Sequence, residues 1–117
     1  MKASIPKFVF AVCGAQEHID TLNYVLPFLR HFSKDEIIVI TDHSRNETEF
    51  KHYLVVNVET PKDFDNHQAA IYLKTGFPKF LDMHPRILYC YLDTDIIALT
   101  KEVDLIFQNY NSPITFC

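Results

Sequence analysis

Two aspartates one residue apart, Asp93 and Asp95, follow directly on the uncharged, mostly apolar run Ile87 to Leu92, and a second apolar patch, Ile96 to Leu99, follows them. An apolar run without alternation is what a central parallel strand carries when helices cover both faces of its sheet. Side chains two apart on an extended chain share a side, so the two carboxylates repel each other unless a cation or a cluster of donors sits between them. A divalent metal is the natural compensator; the alternative is a strand-end turn whose acids cap backbone amides or face water. A second Asp-x-Asp, Asp63-Phe64-Asp65, has no strand before it and reads as loop.

Other chemistry-bearing residues are few. The chain has only two glycines, Gly14 and Gly76, so neither a G-x-G-x-x-G turn nor a Walker loop exists. A bound diphosphate must then be neutralised by a metal, by lysine or by both, and Lys74, on an expected helix, is the candidate cation set against a plain solvated lysine. Asp42 stands at the tip of an expected strand, either as a ligand or as the residue that starts a turn. The six histidines form no H-E-x-x-H or H-x-H, and no G-x-S-x-G is present, so a nucleophilic triad has little support. Cys13, Cys90 and Cys117 form no C-x-x-C pair. They read as buried thiols in a reducing, cytoplasmic setting, with a fold that needs no disulfide.

The elements that must position these residues alternate. Phe8 to Cys13 reads as a strand turned by Gly14, and Ile19, Leu22, Leu26 and Leu29 give a helix from Glu17 to near Phe32, with Pro27 off its apolar stripe. Ile37 to Ile40 and Tyr53 to Val58 read as strands two and three. Asp65 or Asn66 is a credible cap for a helix from about His67, which Gly76-Phe77-Pro78 is expected to interrupt. After the Ile87 strand, Thr100 caps a short helix, Lys101 to Asn109, and Ile114 to Phe116 starts a fresh strand. The expected fold is α/β, a mainly parallel sheet with helices on both faces and right-handed crossovers.

At 117 residues the chain is one domain by length, and 48% hydrophobic with 22% charged residues is enough to build a core. A formal net charge of −4 without any basic run argues against nucleic acid as a partner. The N-terminal run Phe8 to Val12 is too short for a secretory signal, and no stretch approaches the ~20 apolar residues of a membrane span.

FVFAVCG, IIVITD, a helix bearing Lys74, and RILYCYLDTDIIAL together resemble the N-terminal half of a GT-A nucleotide-sugar glycosyltransferase, most closely the group with "YLDTD" or "YLDAD" after the apolar strand. The resemblance implies a GT-A-like domain spanning residues 1–117. Ala11, Val12, Cys13, Gly14 and Asp42 would flank the base and ribose of a nucleotide-sugar donor, a UDP-sugar for preference. Lys74 would approach the phosphates, and Asp93, Thr94 and Asp95 would form the D-x-D, with Asp93 and Asp95 holding Mn²⁺ or Mg²⁺. Members of the family are usually more than twice this long. The chain is therefore expected to be a donor-binding half, slow or inactive in transfer alone, with no acceptor identified and its last strand open to self-association. The rival readings are a non-catalytic nucleotide-sugar-binding or assembly module and, fitting less well, a D-x-D phosphohydrolase.

Overall fold

The computed structural model describes residues 5–52, 54–81 and 84–92 and a final strand at 114–116. The elements run β1 (Ile5–Ala11), α1 (Gln16–Phe32), β2 (Glu36–Thr41), a 3₁₀ turn (His43–Arg45), β3 (Val55–Asn57), α2 (Asn66–Phe80), β4 (Ile87–Tyr91) and β5 (Ile114–Phe116). They form one five-stranded sheet in the order β3-β2-β1-β4-β5, and every adjacent pair is parallel. This is the strand order of doubly wound, Rossmann-like sheets. Asp93, Thr94 and Asp95 and the expected helix Lys101 to Asn109 lie outside the described residues.

The absence of alternation in the strand sequences has its explanation in the two faces. Phe8, Phe10 and Val12 of β1 and its continuation pack with Ile37, Val39, Cys90 and Leu92 beneath Leu22, Val25, Leu26 and Leu29 of α1. The intervening residues Val9, Ala11 and Cys13 pack with Ile38, Ile40, Tyr89 and Tyr91 against Ala69, Leu73 and Phe77 of α2. Both sets are buried, so both must be apolar. From β1 to β2 the chain moves one way across the sheet and from β3 to β4 the other, and right-handed crossovers then require α1 and α2 on opposite faces, as found.

Two expectations are corrected. Gly76-Phe77-Pro78 does not interrupt α2, which continues to Phe80. Phe77 is fully buried and stacks on Tyr91, with ring centroids 6.2 Å apart and planes 18° from parallel. Burial of this ring outweighs the one backbone hydrogen bond that Pro78 removes near the helix end. Cys90 is disulfide-bonded, whereas Cys13 is a free buried thiol. The cysteine spacing carries no motif announcing the bond. Among the described residues no helix is long and apolar enough to cross a membrane.

Replacing Phe77 by Ala is expected to cost about 3–5 kcal/mol. Replacing Asp65, the N-cap of α2 that closes a capping box with Gln68, is expected to cost about 1 kcal/mol. Urea denaturation measures both, and a Phe77→Ala loss no larger than that of Asp65→Ala would contradict the packing described.

Candidate functional site

In a sheet of this order, ligands bind beyond the carboxyl ends of the strands, where the connections from β1 and β4 leave in opposite directions. Residues 11–14 and 42, and Lys74 through its contact with Tyr91, all lie along that edge.

Asp42 ends β2 and is 2% exposed. Its Oδ1 accepts from the Ser44 amide at 3.0 Å and the Ser44 hydroxyl at 2.6 Å. Its Oδ2 accepts from the Thr60 amide at 2.8 Å and the Thr60 hydroxyl at 2.6 Å. Burial by itself would raise the carboxyl pKa, but the hydrogen bonds from Ser44 and Thr60 outweigh it and hold the group down at about 2. Arg45 lies 3.5 Å from Oδ2 through its Nε, which also donates to the Thr60 hydroxyl at 2.5 Å. Its Nη atoms donate to the carbonyls of Pro61 at 2.6 Å and Phe64 at 2.8 Å. Asp42 and Arg45 thus fasten the loop after β2 to the segment that leads into α2.

The next two residues fasten the same loop to β1. Asn46 accepts from the Gly14 amide at 2.9 Å and donates to the Thr41 hydroxyl at 2.9 Å. The Glu47 amide donates to the Gly14 carbonyl at 3.0 Å, and a Glu47 carboxylate oxygen accepts from the Gln16 amide at 3.0 Å. Gly14 has φ +102°, and a Cβ there would stand 2.7 Å from the Asn66 side-chain nitrogen. Only glycine fits this crossing.

Between the starts of α1 and α2, Val12, Cys13, Ala15, His18, Asn66, His67 and Ala70 line a recess of about 200 Å³. It is smaller than the ~300–1,000 Å³ pockets that enclose whole small-molecule ligands, so it fits a single ring or small group. Helix starts usually attract anions. Here α1 is already met by the Glu47 carboxylate and α2 by that of Asp65, whose side chain accepts from the Gln68 amide at 2.7 Å. An apolar floor with compensated helix ends suits a neutral planar group better than a phosphate. Burial, the largest influence, pushes the Cys13 thiol up to about 11 against the opposing effect of Arg45, so it is protonated at neutral pH and no nucleophile.

Lys74 projects from α2 with its ammonium 5.3 Å from the centroid of the Tyr91 ring. Tyr91 ends β4, two residues before Asp93. Among the described residues no group of three or more His, Cys, Asp or Glu could hold a metal. The structure therefore gathers Val12, Cys13 and the start of α2 around one recess, and sets Lys74 of α2 against Tyr91, the last residue of the strand that precedes the D-x-D in sequence. Asp42 spends both oxygens inside the protein. Arg45, Asn46, Glu47 and Thr60 were not singled out by the sequence, since a lone polar residue in a loop carries no signal of its partners. No protein-family model, curated protein or solved structure matches the chain.

The folded carboxyl of Asp42 lies below its ordinary value of ~3.9, so it contributes stability that is complete above that value and is lost as pH falls through about 2. The stability difference between the wild type and Asp42→Asn is accordingly expected to be constant from pH 7 to about 5 and to shrink toward pH 2 in urea titrations. A gap independent of pH would contradict the ionised, hydrogen-bonded state.

Proposed function

We propose that the chain is the donor-binding α/β portion of a metal-dependent glycosyltransferase that takes a nucleoside-diphosphate sugar, with a UDP-sugar preferred. The observation that carries this reading is the ammonium of Lys74 over Tyr91, at the carboxyl end of the strand that runs into Asp93-Thr94-Asp95. The recess above β1 accepts the base, with Val12 and Cys13 in its lining and Ala11 and Gly14 flanking them in the chain, and Lys74 faces the phosphates. Asp42 serves by holding the loops that border the recess.

Two carboxylates are hard oxygen donors of the kind Mn²⁺ and Mg²⁺ prefer, and the carboxylates of Glu47 and Asp65 already at the two helix starts disfavour a diphosphate there without a cation. Asp93 and Asp95 would hold that ion, which when bound supplies Lewis-acid stabilisation to the departing nucleoside diphosphate. Lys74 adds a second positive charge where negative charge grows as the sugar leaves.

UDP is expected to raise the melting temperature only in the presence of Mn²⁺ or Mg²⁺. Asp93→Asn and Asp95→Asn should each abolish this metal-dependent shift, Lys74→Ala should weaken UDP binding by about tenfold, and Asp63→Asn should leave it unchanged. Stabilisation by UDP without metal, or loss of binding in Asp63→Asn but not Asp95→Asn, would contradict the assignment. Binding without transfer across an acceptor panel would favour a non-catalytic nucleotide-sugar module.

A further inference from the structure

The last turns of α1 border a second concavity, remote from the strand carboxyl ends. α1 runs back from the end of β1 to the start of β2, so Arg30 lies at the opposite edge of the sheet. There Asn23, Leu26, Pro27, Arg30, Lys51 and His52 enclose about 300 Å³. Its frame is fixed. The Asn23 side chain donates to the Glu49 carbonyl at 3.2 Å and accepts from the Lys51 amide at 3.0 Å, holding the loop against α1. His52 donates through Nε2 to the Ile37 carbonyl at 2.7 Å.

Arg30 is the anomaly. Its Nη1 donates to the Ser33 carbonyl at 3.3 Å, a weak bond at the helix end, while its Nη2 is buried with no hydrogen-bond partner. A buried guanidinium nitrogen without a hydrogen-bond partner carries an uncompensated desolvation cost. A small shift of the guanidinium into the cavity that Arg30 lines brings this nitrogen within reach of an acceptor supplied from outside. The exposed Lys51 lines the same cavity, and among the described residues neither cation is ion-paired. Leu26 and Pro27 make the wall apolar, and Pro27 also borders an adjoining groove of about 390 Å³ formed with Phe28, His31 and Phe32.

We propose that this concavity binds an amphiphilic organic anion. A carboxylate or phosphate monoester head is held by Arg30 and Lys51, and the hydrocarbon part lies over Pro27 toward Phe28 and Phe32. Two cations beside an apolar groove match such a molecule in charge and in shape, whereas a fully polar anion leaves the groove wet and a neutral chain leaves Nη2 without its acceptor.

The test is an NMR titration of the full chain with octyl phosphate, octanoate and octanol. Saturable amide shifts at Asn23, Arg30 and Lys51 are expected with one or both anions, with octanol at least about tenfold weaker; the tighter anion identifies the head group. Arg30→Gln and Lys51→Gln should each weaken the anion and leave octanol unchanged, and Lys51→Gln, at an exposed position, keeps the test open if Arg30→Gln perturbs the fold. Equal binding of octanol and the anions, no saturable shift with either anion, or undiminished anion binding in both variants would overturn the proposal.

Discussion

The carboxyl-end edge of this sheet depends on one buried carboxylate. Asp42 receives four hydrogen bonds from Ser44 and Thr60, and through Arg45 it is linked to the carbonyls that precede α2. Such a group is stable in a buried place only while every lone pair is answered, because an unanswered buried charge costs far more than a hydrogen bond returns. The loops around it therefore have little freedom. Asn46 and Glu47 extend the same set of constraints to Gly14 and to the start of α1.

That rigidity bears directly on function. The recess above β1 is bounded by two helix starts, each with one amide met by a carboxylate, Gln16 by Glu47 and Gln68 by Asp65. A more familiar phosphate site leaves those amides open and adds glycines so that the backbone can approach the anion. Here no glycine-rich run is present and one amide at each helix start is already met by a carboxylate, which is why the proposed reading assigns the neutralisation of a diphosphate to side chains and metal. Lys74 is held over Tyr91 at the end of the one strand that leads to paired aspartates.

Much of this architecture was legible because apolar burial leaves a strong pattern. Ile37 to Ile40 and the run from Ile87 could be read as strands covered on both faces, and the stripe of Ile19, Leu22, Leu26 and Leu29 gave α1 almost to its ends. The reading failed at Gly76-Phe77-Pro78, where local propensity argues for a break and the tertiary burial of Phe77 against Tyr89 and Tyr91 prevails. Short-range patterns cannot register a contact with a strand ten or more residues away. The loop network was equally hidden: Asp42 looked like a ligand or a turn former, and nothing local shows that Thr60, eighteen residues on, occupies one of its oxygens. Gly14 was legible as a turn, but not as a crossing point that Asn66 closes to any larger residue.

The function proposed above has a nucleoside diphosphate and a divalent ion meeting at the carboxyl ends of β1 and β4. Paramagnetic broadening by Mn²⁺, recorded on backbone amides with and without UDP, tests it most directly. UDP-dependent broadening is expected at Val12 to Gly14, Lys74 and Tyr91, absent in Asp93→Asn, with Phe32 and Lys51 at the opposite edge unaffected. Broadening centred elsewhere, or identical with and without UDP, would contradict it.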